Sequence, residues 1–167
     1  MTNSDALFAA GGDPVEILNW RRVTPTLTTS GQPTEAQLHR LKALGVTRVI
    51  NLGLHTHEKA LPDEQASLAA LGIGYTHLPV EFTAPSDVDF ERYCAVMAEA
   101  ANEVIHVHCI YNARVSAFVY RQFRDRPDKS RSAAIMESIW RPGGVWARFI
   151  GNDADAALPD RYAGRDY

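Results

Sequence analysis

Short apolar runs rich in β-branched residues alternate with helical patterns along this chain, and that alternation restricts the possible folds more than any other feature. VTPTLTTSGQP (23–33) reads as a strand ended by Gly31 and Pro33. Thr34 then opens a helix through the capping box TEAQ; Leu38, Leu41 and Leu44 form its apolar stripe and Gly45 stops it. VTRVINL (46–52), IGYTHLPV (73–80) and EVIHVH (103–108) read as further strands. Helices are predicted from near Pro62, from Ser86 to about Glu99, over ARVSAFVYRQF, and from Ser130. Strands joined through helices demand right-handed crossovers. The predicted fold is therefore α/β, with a central, mostly parallel four- or five-stranded sheet flanked by helices on both faces. The expected organisation is an N-terminal extension (1–22), an α/β domain (23–150) and a C-terminal tail (151–167).

A chain of 167 residues fits one domain and buries roughly 70% of its extended surface. A net charge of −3 gives no field for nucleic acid or anionic membrane, so neither is expected as a partner. No run approaches the length of a membrane span. The opening MTNSDALFAAGGDP lacks a basic n-region and is not expected to be a signal peptide. Two cysteines, Cys94 and Cys109, make no disulfide framework, which points to a reducing cytoplasm.

In α/β sheets, ligands bind beyond the carboxyl ends of the strands. The segment EVIHVHCIYNARVSAF places Cys109 at such an end, just before a helix. Unpaired N–H groups and the helix dipole there favour a thiolate and suit an anion. Arg114 adds a planar fork for two anion oxygens, and Asn112 is a residue type that tolerates the left-handed turn such a loop needs. Nucleophile, anion cradle and guanidinium together suit covalent transfer of an anionic group.

HCIYNARVS resembles the phosphate-binding loop of protein tyrosine and dual-specificity phosphatases. The closer similarity is to a bacterial phosphatase-like family also found attached to β-lactamase-like hydrolases, which carries a His-Cys-x-x-Asn-x-Arg-x-Ser loop. SGQPT (30–34) and VINL (49–52) match two more of its motifs, so the resemblance spans roughly residues 23 to 150. It implies a cysteine-phosphatase-like fold and hydrolysis of a phosphate monoester, such as phosphotyrosine, through a phosphocysteine intermediate, without cofactor. The partner implied is a phosphorylated protein or a small phosphate ester. Cys109 is then the nucleophile, and His108, Ile110, Tyr111, Asn112, Ala113 and Ser116 build the loop with Arg114. Only residues 110–113 separate Cys109 from Arg114, one fewer than in protein tyrosine phosphatases. That gap also resembles the rhodanese-type sulfurtransferase loop, so a Cys109 persulfide carrier is a second reading. A silent anion-binding or interaction module is a third.

Ester cleavage requires an acid to protonate the leaving oxygen. The resemblance puts it roughly thirty residues before the cysteine, where Glu81 begins VEFTAPSDVDF; Asp87 is the alternative, although it and Asp89 also suit a helix start. The family histidine, here His108, shapes the loop, and Ser116 is placed to donate to the departing thiolate. HVH (106–108) and HTH (55–57) offer paired histidines, but no further ligands accompany them and no metal is expected. Cys94 reads as core, and Arg121, Arg124, Arg126, Lys129 and Arg131 as a solvated face.

Overall fold

The computed structural model describes residues 5, 7–162 and, as backbone, 165–166. Strands β1 (Arg21–Thr24), β2 (Leu27–Ser30), β3 (Arg48–Asn51), β4 (Gly74–His77) and β5 (Ile105–His108) form one sheet in the order β1-β2-β5-β3-β4. Strands β2 to β5 pair in parallel, while β1 runs antiparallel to β2. The sheet is thus mostly parallel and five-stranded. Its first segment differs from the single strand predicted over 23–33. Pro25, which has no N–H to donate, breaks the run, and the chain turns between Thr24 and Leu27 into a hairpin.

Helices α1 (Leu38–Ala43), α2 (Glu64–Ala70), α3 (Asp87–Glu99), α4 (Ala113–Phe123), α5 (Lys129–Ile139) and α6 (Gly144–Phe149) cover both faces. Thr34 and Gln37 form the capping box, leading through a 3-10 turn (Glu35–Gln37) into α1, and Ser86 forms another with Asp89. Ser130 caps nothing. Helix α5 follows Asp128, which has near-helical backbone, because the turns bonding Arg126 to Phe123 and Lys129 to Arg126 carry the winding on from α4.

Alternation along the strands splits the core in two. Ile50, Ile105 and Val107 face Tyr93, Val115, Phe118, Ile139, Trp146 and Phe149. Val49 faces Leu38, Leu41, Leu68, Ile17 and Trp20 on the other side. His106 and His108, alternating with Ile105 and Val107, point to this second side. A small antiparallel sheet joins β6 (Trp140–Arg141), β7 (Arg161–Tyr162) and β8 (Arg165–Asp166). Among the described residues no helix is long and apolar enough to cross a membrane.

Candidate active site

The parallel strands end together at Ser30, Asn51, His77 and His108, and the chain from Cys109 to Asn112 closes over that edge. Asn112 takes the left-handed conformation (φ 71, ψ 8) at the start of α4. A residue with a Cβ pays for that backbone, and here distant contacts hold it: Asn112 Nδ2 donates to the Asn19 carbonyl (2.9 Å) and to Thr29 Oγ1 (3.0 Å).

The loop's carbonyls are turned away from its centre. The Cys109 carbonyl faces His108 Nδ1 (3.1 Å), that of Ile110 accepts from the Gln32 amide (3.1 Å), and that of Tyr111 accepts from Asn19 Nδ2 (2.9 Å). With the carbonyls fixed outward, the peptide planes turn their N–H groups inward. Among the described residues, none of the amides of residues 110 to 115 has an acceptor within the protein. Successive N–H groups converging at a helix start make an anion-binding concavity. Gly31 is part of the same construction, since a Cβ there would lie 2.6 Å from the Ile110 carbonyl oxygen.

Cys109, the first residue of this loop, is buried, 1% exposed. Arg114, buried in the first turn of α4, donates from Nη1 to the Val80 carbonyl (2.9 Å), and its guanidinium lies 5.7 Å from the centre of the Phe82 ring. Its other two nitrogens bond no described residue. Arg114 therefore bridges the cysteine loop and the loop that Glu81 begins. Glu81 is exposed, and its carboxylate makes no hydrogen bond or ion pair among the described residues. Asp87 is 82% exposed and pairs with Arg121 (2.9 Å), whereas Asp89 is engaged in the capping box with Ser86. The Ser116 hydroxyl donates to the Ala113 carbonyl (2.9 Å) and accepts from Trp140 Nε1 (3.0 Å), so it serves the helix start. Tyr111 meets Tyr162 of β7 edge to face, with ring centroids 5.6 Å apart.

The histidine pairs behave differently from one another. His106 lies between Thr28 Oγ1 (2.8 Å, at Nδ1) and Ser30 Oγ (2.8 Å, at Nε2) and stacks on Trp20. Burial, reinforced by His108 and Arg22, holds it well below the usual histidine range, so it is neutral. His55 and His57 lie in a turn rather than on a strand, and His55 stacks on His77 at 3.6 Å. Burial, opposed by a bond to the Gly53 carbonyl and aided by His55, lowers His77. No described cluster of three His, Cys, Asp or Glu side chains has the makings of a metal site.

One expectation needs correction, and one residue joins the site. The basic cluster is docked as well as solvated: Arg121 lies over Phe90 and Phe149, Arg126 over Phe123, and Arg131 donates to the Arg22 and Val23 carbonyls. Flat guanidinium groups gain more on aromatic faces and carbonyls than in open water. Glu64, in the first turn of α2, is buried against His108 (Nε2 to Oε1, 3.0 Å). Burial alone would raise its carboxyl, but the bonds from His108 and Gln32 hold it below the usual range.

Comparison with known proteins bears on the fold and the family. A family model described as a DSP-PTPase phosphatase fused to NAD+ kinase matches residues 13–144. A DUF442 protein from Shewanella putrefaciens CN-32 is 30% identical, with a TM-score of 0.71, covering 80% of this chain and 89% of its own. TpbA from P. aeruginosa, in complex with phosphotyrosine, is 18% identical with a TM-score of 0.58, covering 88% and 81%. The core catalytic domain of the S. cerevisiae PP-IP phosphatase SIW14 is 15% identical with a TM-score of 0.56, covering 65% and 66%. The last two are likenesses of fold. No curated protein sequence matches. With most of its length inside one family model, the chain belongs to the dual-specificity and tyrosine phosphatase-like family described as fused to NAD+ kinase.

Proposed function

We propose that this protein is a cysteine-dependent phosphatase acting on phosphate monoesters, with aryl phosphates such as phosphotyrosine as the favoured class. The observation that carries the reading is the run of amides from 110 to 115 that find no acceptor among the described residues, directly after the buried Cys109 and with the buried Arg114 in the same run. Cys109 Sγ attacks phosphorus while the ester P–O bond breaks, and Glu81 gives its proton to the leaving oxygen. Water then attacks the phosphocysteine, passing a proton to the Glu81 carboxylate, and the P–S bond breaks to release phosphate and thiolate. The loop amides and the two unbonded nitrogens of Arg114 hold the phosphoryl oxygens in both steps, where charge-assisted bonds are strongest. The aromatic pair Tyr111 and Tyr162 beside the loop, and the phosphotyrosine bound by TpbA, support an aryl substrate. A nucleophile that must stay a thiol suits a reducing compartment such as the cytoplasm.

The test is hydrolysis of aryl phosphates with graded leaving groups. Cys109→Ser abolishes turnover, and Glu81→Gln slows it by about 10²–10⁴, most for the poorest leaving groups. If Asp87→Asn is the variant that slows it, the acid is Asp87. If neither matters, and Cys109 instead converts thiosulfate and cyanide to thiocyanate, the sulfurtransferase reading replaces this one.

A further inference from the structure

The residues around His108 converge on one carboxylate. Glu64, 4% exposed, accepts from His108 Nε2 (3.0 Å to Oε1), from Gln32 Nε2 (2.9 Å) and, at longer range, from Asn51 Nδ2 (3.4 Å). Gln32 comes from SGQPT and Asn51 from VINL, so both motifs end on this group. Gln32 also holds the Ile110 carbonyl through its amide. Asn51 lies opposite His108 across β3 and β5 and takes the Gly53 N–H on Oδ1 (2.7 Å). A buried carboxylate is costly unless donors and a positive charge surround it. Helix solvation does not explain placing one here.

The far side of the ring explains it. His108 Nδ1 faces the Cys109 carbonyl (3.1 Å) while Nε2 faces Glu64, so both nitrogens meet acceptors. An imidazole satisfies two acceptors only with a proton on each nitrogen. We propose that Glu64 is a positioning residue that keeps a proton on both nitrogens of His108, so that the ring holds the Cys109 carbonyl outward from the side of the sheet opposite the Cys109 side chain. The inference rests on Cys109 being the nucleophile. The other titratable groups around the pair are His106 from β5, neutral between Thr28 and Ser30, Tyr75 and His77 from β4, and His55 stacked on His77. Among the described residues Glu64 is the carboxylate that bonds the ring.

Nitrogen-15 spectra of the His108 ring in the wild-type protein test this directly. Both nitrogens protonated at neutral pH is the expected result, and one bare nitrogen overturns the inference whatever any variant does. Independently, Glu64→Gln slows iodoacetamide alkylation of Cys109 at pH 6 about tenfold, because a Cys109 carbonyl held less firmly outward weakens the run of amides that favours the thiolate. Alkylation of Cys94 and the circular dichroism spectrum stay unchanged. In a His108→Asn background, Glu64→Gln adds nothing if it acts through the ring; full additivity overturns the inference. A reactive wild-type Cys109 with an equally reactive Glu64→Gln variant overturns this inference alone. An inert wild-type Cys109 overturns the nucleophile reading and takes this inference with it.

Discussion

Arg114 and Gly31 show how single residues shape the loop that follows Cys109. Arg114→Lys keeps a charge but loses the fork that reaches both the Val80 carbonyl and an anion. Vanadate inhibition should weaken roughly 10- to 100-fold, as expected for losing one charge-assisted bond; unchanged inhibition would mean the guanidinium serves only the Glu81 loop. Gly31→Ala forces its methyl against the Ile110 carbonyl, which must move for the amides to stay aligned. A rise in KM for aryl phosphates with kcat less affected is the expected signature, and kinetics like the wild type would show that the loop yields freely. The placement of Cys109, Asn112 and Arg114 together at one strand-helix joint was legible in the sequence, because the spacing there is local. The burial of Glu64 against His108 was not. Its partner His108 is 44 residues away, and a glutamate in a first helical turn looks the same whether it faces water or a histidine.

The secondary structure elements were legible where the chain itself supplies the stop signals. The capping boxes at Thr34 and Ser86 are local sequence devices, and both form. Ser86→Ala removes the acceptor for the Asp89 amide and should cost about 1 kcal/mol, read by urea unfolding. No loss would mean that α3 is held by the packing of Tyr93, Phe90 and Met97 without help from its cap. The hairpin of β1 and β2, and the start of α5, were not legible. A β-branched run with one proline suits a bent strand as well as a hairpin, and winding carried over from α4 leaves no cap for Ser130 to make.

The whole molecule carries its buried charge unevenly, and this sets its response to acid. His106 holds a proton less readily folded than unfolded, its value lying well below the ordinary 6.5. Below pH 6.5 the unfolded chain therefore binds more protons, and stability falls as pH drops. Glu64, held below its ordinary 4.5, adds stability that is complete above that pH and is lost on further acidification. Urea melts at pH 5 and pH 7.5 should differ, and His106→Asn should flatten the difference; an unchanged slope would place the acid sensitivity elsewhere. The amides of residues 110 to 115 have a consequence of another kind. Parallel N–H dipoles crowded at a helix start repel one another, and an anion that binds only the folded loop relieves them. Each such solute becomes part of the fold's own thermodynamics, worth about 2.7 kcal/mol at a concentration one hundred times its dissociation constant. On the proposed reading, phosphate or sulfate in the buffer is a ligand of the folded state. Its melting temperature in phosphate or sulfate should exceed that in chloride at equal ionic strength, and the inorganic phosphate of a cell would act as a standing chaperone.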